Sequence, residues 1–224
     1  MSYVVGVDAY KSGWVAMALG KAAVEGCRLY GHISEIIRNH PAAGIIAVDI
    51  PIGLPEKGPR QADVEARRFV GARRSSVFPT PPRSVLEAAT YNEALALAQA
   101  HGGPGISRQS FALAPKILEV DDVASTDDRI VEVHPEVSFR AMADRTIDFP
   151  KKSWNGLLLR RRLLEANGIR LPEDLSEGGL APADDVLDAA AAAWTANRVA
   201  QGQAKTLPDF PEERSGGGTV AIWY

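Results

Sequence analysis

Residues 3–8 read YVVGVD and residues 44–50 read GIIAVDI, and these two segments decide the fold. Each is apolar enough to form a strand that is covered on both faces of a sheet, and each carries one acid, Asp8 or Asp49, at or next to its end. A helical crossover between them would return the second strand parallel to the first. The sequence therefore predicts an α/β sheet in which both aspartates emerge at the same edge.

The segments between these two strands complete the first half of the sheet. Residues 14–19 (WVAMAL) follow the first strand after a short turn, so the two strands are predicted to pair as a β-hairpin. Residues 27–33 are predicted to form a third strand. Residues 34–40 are predicted to form the crossover helix, with Ser34 as its N-cap.

Residues 51–128 differ in composition from the rest of the chain, because they hold eight of its fifteen prolines. Two helices are predicted there, at residues 61–71 and at residues 84–101. The second would begin with a capping box from Ser84 to Glu87 and end at Gly102–Gly103. Since long loops without secondary structure are uncommon in compact domains, we expect a helical, proline-rich insertion or cap within one domain spanning residues 1–224.

The chain after the insertion returns to the sheet. Residues 129–133 are predicted to form the fifth strand, which ends before Pro135. Helices are predicted at residues 153–167 and 184–199, and an edge strand at residues 219–224, after the glycines at 216–218.

The overall composition favours an ordinary intracellular enzyme or binding protein. The formal net charge is −3, which does not by itself indicate a nucleic-acid partner. Cys27 is the only cysteine, which excludes an internal disulfide and a cysteine-rich zinc site. No signal peptide or membrane-spanning segment is evident, so a soluble cytoplasmic protein is expected, with no membrane partner. The oligomeric state, including a homo-oligomer, is left open.

Two further aspartates join the strand-end pair. Asp185 and Asp188 are three residues apart on a predicted helix and therefore share one face. Carboxylates brought together in this way repel one another, and a divalent cation relieves the repulsion. Oxygen-only ligands indicate Mg²⁺ or Mn²⁺, so the four aspartates are predicted to be both metal ligands and catalytic residues. The alternative is that each strand-end aspartate only caps a turn.

A second acidic motif is EVHPE at residues 132–136. Strand alternation would place Glu132, His134 and Glu136 on one face. Glu132 is predicted as a further catalytic acid, Glu136 as a further metal ligand, and His134 as a base or a partner of the substrate. The alternative is a polar sheet edge that pairs with nearby arginines.

Basic residues are predicted to bind the phosphates of a nucleic acid, because such contacts need cations even in a protein of negative net charge. The alternative is that they form solvated helix faces. With His134, the predicted substrate-binding residues are Arg60, Arg67, Arg73, Arg74, Lys116, Lys151 and Lys152.

The acidic pattern resembles that of the RNase H-like superfamily, in particular RuvC-type resolvases. Those enzymes carry an aspartate in the first strand, an acid at the end of the fourth, and an Asp-x-x-Asp pair opening the last helix. The matching residues are Asp8, Asp49, Asp185 and Asp188. The resemblance implies a mixed five-stranded sheet flanked by helices, with the insertion after the fourth strand.

The whole chain is more similar still to a widespread prokaryotic family, domain-of-unknown-function family 429, whose members are described as predicted RNase H-like nucleases. This resemblance is carried by GVD at residues 6–8, DIPIGLP at 49–55, SVFP at 76–79, KILEVD at 116–121, EVHPE at 132–136 and DDVLD at 184–188. It implies a hydrolase of nucleic acid.

The leading hypothesis is therefore a metal-dependent nuclease that hydrolyses phosphodiester bonds with a two-metal carboxylate site. One alternative is a non-catalytic nucleic-acid-binding or regulatory protein that keeps the acidic site as structure. Another is a phosphotransferase of the actin-like type, although such proteins usually enclose ATP between two lobes and this chain has one.

Overall fold

The five-stranded mixed sheet predicted from the sequence is confirmed. The computed structural model describes residues 3–11, 13–21, 23–102, 105–214 and 218–224. The sheet has the order β3-β2-β1-β4-β5, in which β2 is antiparallel to both of its neighbours while β4 and β5 run parallel to β1. Its strands are β1 (Tyr3–Tyr10), β2 (Gly13–Leu19), β3 (Val24–Tyr30), β4 (Ala43–Val48) and β5 (Ile130–Glu132).

Helices cover both faces of this sheet. Between the strands lie α1 (Ile33–Asn39), α2 (Gln61–Val70), a 3₁₀ helix (Gly71–Ser76), α3 (Arg83–Leu86), α4 (Tyr91–Ala100), α5 (Arg108–Ala112) and α6 (Ala114–Ala124). After β5 come α7 (Pro135–Ala143), α8 (Trp154–Ala166), a second 3₁₀ helix (Ser176–Leu180) and α9 (Ala183–Ala200). The chain then forms a separate two-stranded antiparallel sheet from β6 (Thr206–Glu213) and β7 (Thr219–Trp223).

Helix α9 lies directly on β1, and small residues allow the close approach. A Cβ atom at Gly6 would lie 2.0 Å from the backbone nitrogen of Ala193 and 2.2 Å from the carbonyl oxygen of Ala189. The alanines from Ala189 to Ala193 are fully buried against the sheet. Because Asp8 is two residues after Gly6, it points to the same face of β1 and therefore towards α9.

The opposite face of the sheet is covered by the crossover helix and the insertion. Val5 and Val7 point to this side and pack in one cluster with Ile33 and Ile36 of α1 and with Ile117 of α6. The proline-rich region is therefore built on its own helices over a shared apolar core, rather than on an extended loop.

Two predicted helix starts are wrong. Helix α1 begins at Ile33 with His32 as its N-cap, not at Ser34, and the Glu35 carboxylate accepts a hydrogen bond from the His32 backbone N–H. The helix predicted at residues 84–101 is divided into α3 and α4. Thr90 starts α4 by accepting a hydrogen bond from the Glu93 backbone N–H at 3.2 Å, a capping interaction that the sequence analysis placed at Ser84. Gly103, predicted to help end this helix, lies outside the described residues.

The prediction that Glu132, His134 and Glu136 share a strand face is also wrong. Strand β5 ends at Glu132, and His134 is the N-cap of α7, whose first residue is Pro135. A proline at the first position of a helix loses no hydrogen bond, since that N–H has no partner within the helix. Pro135 was predicted only to end the strand before it, so α7 was not predicted.

The last strand, β7, belongs to the two-stranded sheet and not to the main sheet. Strand β7 pairs with β6, which was not predicted, and Trp223 of β7 forms an isolated parallel bridge with Val133, the residue after β5. Gly216 and Gly217, noted before this strand, lie outside the described residues. Across the described ranges, no helix combines the length and the apolar composition needed to cross a membrane.

Candidate functional site

The four aspartates singled out from the sequence line one cavity of about 570 Å³. Strands β1 and β4 are in register at Val7 and Val48, so the residues that follow, Asp8 within β1 and Asp49 just beyond β4, lie side by side. The backbone N–H of Asp49 donates to the carbonyl oxygen of Val7 at 2.9 Å and extends the parallel pairing up to the site.

Asp8 and Asp49 are electrostatically linked. Burial raises the pKa of Asp8 well above its ordinary value, and the charges of Asp49 and Asp188 raise it further. The pKa of Asp49 is also raised, mainly by burial, while the nearby His134 and Lys151 and a hydrogen bond with the Asp8 carboxyl oppose the shift. Two carboxyl groups this close hold a shared proton more readily than two separate charges.

Asp188 and Asp185 approach the pair from α9. Asp188 is 2 % exposed, and burial raises its pKa to about 7 even though Lys151 opposes the shift. Asp185 is half-buried, and its pKa is raised by burial and by the charge of Asp184. The first two turns of α9 therefore bring carboxylates to the same cavity as the strand-end pair.

Lys151 is the cation that faces these acids. Its Nζ atom lies 2.5 Å from Oδ2 of Asp188 and 3.7 Å from Oδ2 of Asp184. Burial alone would lower the pKa of Lys151, but the carboxylates of Asp188, Asp8 and Asp49 raise it on balance, so the ammonium stays charged. One ammonium cannot balance four aspartates, and the site keeps an excess of negative charge when they are ionised.

The donor chemistry of the cavity fits Mg²⁺ or Mn²⁺. The acidic side chains of the cavity offer carboxylate oxygens as metal ligands. Two of these oxygens, Asp184 Oδ2 and Glu136 Oε2, are buried without a hydrogen-bond partner among the described residues. In the described part of the chain, however, no three His, Cys, Asp or Glu side chains stand close enough together to form a metal-binding group as they are placed. A bound ion would therefore require these side chains to draw together around it.

Glu132, predicted as a catalytic acid, is already saturated with hydrogen bonds. Arg60 donates from Nη1 and Nη2 to its two carboxylate oxygens, each at 2.7 Å, and the Ile52 backbone N–H donates to Oε2 at 2.7 Å. Arg60 also donates to Asp63 at 2.5 Å and is only 3 % exposed. This buried network joins β5 to the insertion, so Arg60 lies away from solvent and its guanidinium is engaged with protein acceptors rather than free for phosphate.

Glu136 and His134 stand at the start of α7, beside the aspartates. Glu136 Oε1 accepts from the fully buried Arg160 at 2.7 Å and from Arg73 at 3.3 Å. His134 Nδ1 accepts from the Glu136 backbone N–H at 3.2 Å, which places the ring proton on Nε2, 3.3 Å from the carbonyl oxygen of Ser76. In this arrangement the imidazole offers no free lone pair, so it is placed to bind or orient rather than to act as a base.

The remaining predicted cations divide into two groups. Arg73, Lys151 and Lys152 line the cavity. Arg67, Arg74 and Lys116 do not: Arg67 donates to the carbonyl oxygen of Val77, Arg74 is exposed, and Lys116 donates to the carbonyl oxygen of Gly13 with its ammonium 4.8 Å from the Trp14 ring.

Several residues that build the site were not predicted from the sequence. Asp63 holds Arg60, which lies three residues earlier, so the spacing of an ion pair along a helix was the available signal. Arg160 holds Glu136, which lies 24 residues earlier in the chain, and no local pattern predicts that pair. Asp184, in the first turn of α9, is a buried acid of the cavity that was not predicted as a site residue. Its position in the DDVLD motif was the available signal.

The fold and site together define an α/β domain whose parallel strands and last helix gather acids in one cavity, and the sheet order and directions are consistent with an RNase H-like fold. Residues 6–213 match the model of the family described as "Protein of unknown function (DUF429)", and the chain belongs to this family. No curated protein matches the chain. No solved structure matches it either.

Proposed function

We propose that the protein is a metal-dependent nuclease that hydrolyses phosphodiester bonds of nucleic acid. The observation that carries the proposal is the placement of three carboxylates, Asp8, Asp49 and Asp188, from three separate elements in one open cavity. Their pKa values are all raised, chiefly by burial, so their ionised forms are unfavourable there. A bound cation would relieve this cost and keep the acids ionised.

The residues of the chain have distinct tasks in this proposal. Asp8, Asp49 and Asp188, with Asp185 at the cavity entrance, would hold Mg²⁺ or Mn²⁺. The chemistry that such an ion supplies is activation of a water molecule and neutralisation of charge on the phosphodiester. Lys151 balances the acids of α9 and stands where an incoming phosphate would meet the carboxylates. Arg73 and Lys152 add positive charge at the wall of the same cavity.

A second candidate is a non-catalytic nucleic-acid-binding protein. The Lys151 ammonium already pairs with Asp188, and the acids as placed do not form a group of three around one point in the described residues. In that case Lys151 would be the permanent counter-ion of Asp188, and the carboxylates would not be arranged to bind added metal.

A cleavage panel distinguishes the two candidates. Labelled single-stranded, duplex and branched DNA and RNA are incubated with the protein in Mg²⁺, in Mn²⁺ and in EDTA. We expect cleavage that needs the metal, survives Asp209→Asn on the exposed face of β6, and is lost in Asp8→Asn. Thermal melting is followed in parallel, because an ion that binds only the folded site raises the melting temperature.

A melting temperature that added metal does not change, together with no cleavage of any substrate, would refute the nuclease proposal and favour the binding protein. Cleavage that persists in Asp8→Asn would place the activity at another site or in a contaminant.

A further inference from the structure

Two large aromatic side chains beside the acidic cavity are exposed to solvent. Phe149 is 44 % exposed and Trp154 is 73 % exposed, whereas Trp14 and Trp194 are buried. Single exposed apolar side chains are common on protein surfaces, and Phe210 is 90 % exposed, so exposure alone assigns no role. What distinguishes Phe149 and Trp154 is that the lysines between them line the cavity. We call residues 149–154, whose sequence is FPKKSW, the aromatic turn. Its two lysines, Lys151 and Lys152, both line the cavity.

The aromatic turn is held rigidly on the start of α8. Ser153 Oγ donates to the carbonyl oxygen of Pro150 at 2.8 Å, and the Gly156 backbone N–H donates to Ser153 Oγ at 3.1 Å. A Cβ atom at Gly156 would lie 1.9 Å from the Pro150 oxygen, so the turn rests directly on the first turn of the helix. The backbone of the turn is therefore ordered before a partner binds, which lowers the entropy cost of binding.

The same turn is tied to the wall of the cavity. Arg160 donates to the carbonyl oxygen of Phe149 at 3.2 Å and to Glu136 Oε1 at 2.7 Å. Glu136 lines the cavity that holds the four aspartates. Displacement of the turn would therefore disturb a residue beside the acidic site, and the two features form one unit.

The charges of the turn complement a nucleic-acid strand. The Lys152 side chain is 80 % exposed and its Nζ lies 3.9 Å from Asp184, which leaves the ammonium free to contact a phosphate. Aromatic rings spaced along such a basic segment suit unpaired bases, because each base of a single strand offers a free π-face. In a duplex those faces are already covered by the neighbouring base pairs.

We propose that the aromatic turn binds single-stranded nucleic acid and leads it into the acidic cavity. Bases stack on Trp154 and Phe149, Lys152 contacts the backbone, and the strand enters past Lys151. The inference rests on the proposed function for its purpose, since it names the substrate class of that site. Its test uses binding alone and requires no cleavage.

Trp154 provides the signal for the test. It is the most exposed of the four tryptophans, Trp223 being half-buried and the other two buried. The protein is titrated in EDTA with a labelled single-stranded oligothymidylate and with a duplex of equal length. We expect the single strand to quench tryptophan emission and to bind more tightly than the duplex.

Three variants locate the effect. Trp154→Ala should weaken single-strand binding roughly tenfold in fluorescence anisotropy, as expected for the loss of one stacked base. Trp154→Phe should keep most of the affinity and lose the quenching. Leu180→Ala is the matched control, because Leu180 is 74 % exposed and is not aromatic; its affinity should equal that of the wild type.

Equal single-strand affinity in Trp154→Ala and wild type, or a preference for duplex, would overturn the inference. It would also be overturned if sedimentation showed a dimer without oligonucleotide that Trp154→Ala dissociates, since a second copy would then cover the rings. Single-strand binding through Trp154 without cleavage under any metal would refute the nuclease proposal alone. Cleavage with unchanged affinity in Trp154→Ala would refute this inference alone.

Discussion

The pKa of Asp188 makes the stability of the metal-free protein depend on pH. Burial raises this pKa to about 7 from an ordinary value of 3.8. The carboxyl group therefore ionises at lower pH in the unfolded chain than in the folded protein. Its contribution to stability is fully present below about pH 4 and is lost as the pH rises to about 7.

The size of the effect follows from the shift. Each pH unit between the two pKa values changes the free energy of unfolding by about 1.4 kcal/mol, so the loss between pH 5 and pH 8 is about 2–3 kcal/mol. Asp188→Asn removes this titration. Between pH 5 and pH 8, the free energy of unfolding should therefore decrease less in Asp188→Asn than in the wild type. The difference between the two decreases should be about 2–3 kcal/mol.

Urea unfolding in EDTA at pH 5, 6, 7 and 8 measures this difference. The quantity compared is the change in the free energy of unfolding with pH and not its absolute value, because Asp188→Asn also loses the ion pair with Lys151. This ion pair exists only while Asp188 is ionised, and its effect on the pH dependence is already contained in the pKa of about 7, which Lys151 lowers. Asp209→Asn, at an exposed position, is the matched control and should follow the wild type. Parallel curves for the wild type and Asp188→Asn would show that Asp188 ionises normally in the folded protein and would refute the reasoning.

Three other changes test the structure and the site. Arg60→Met should destabilise the protein by about 3–5 kcal/mol in urea unfolding, because Glu132 would remain as an uncompensated buried charge; a loss below 1 kcal/mol would contradict the buried network. Gly6→Ala should prevent α9 from resting on β1 and greatly reduce soluble folded protein, measured by circular dichroism, and a wild-type melting curve would disprove the close approach. Arg73→Ala with Arg74→Ala should weaken nucleic-acid binding and flatten its dependence on salt, since fewer counterions are released, while metal-induced stabilisation remains. An unchanged salt slope would assign both arginines to structure.

The sheet was predictable because its strands carry their information locally. The apolar segments ending in Asp8 and Asp49 mark buried strands, and the crossover rule sets their relative direction. Local signals gave wrong predictions at two motifs that allow more than one structure. Ser84 begins a plausible capping box, but the hydrogen bonds that Thr90 and Glu93 make start the helix later. Pro135 ends one element and begins another, and only the end was predicted.

The candidate site was predictable in part. The four aspartates stand in a pattern that the strand ends and one helix face bring to one place. What each polar residue pairs with was not predictable, since Arg60 meets Glu132 across the whole insertion. The phenylalanines of the insertion, Phe69, Phe78 and Phe111, all pack against core clusters. Exposure depends on the tertiary structure, and so Phe149 and Trp154 emerged only there.

The close approach of α9 to β1 at Gly6 has a consequence for how the protein is made. Asp8 is translated 180 residues before Asp188, which follows the entire insertion and belongs to α9. A nascent chain therefore carries an incomplete set of acids until α9 has been made. If the protein cleaves nucleic acid, a partly translated copy cannot damage the messenger RNA from which it is being read.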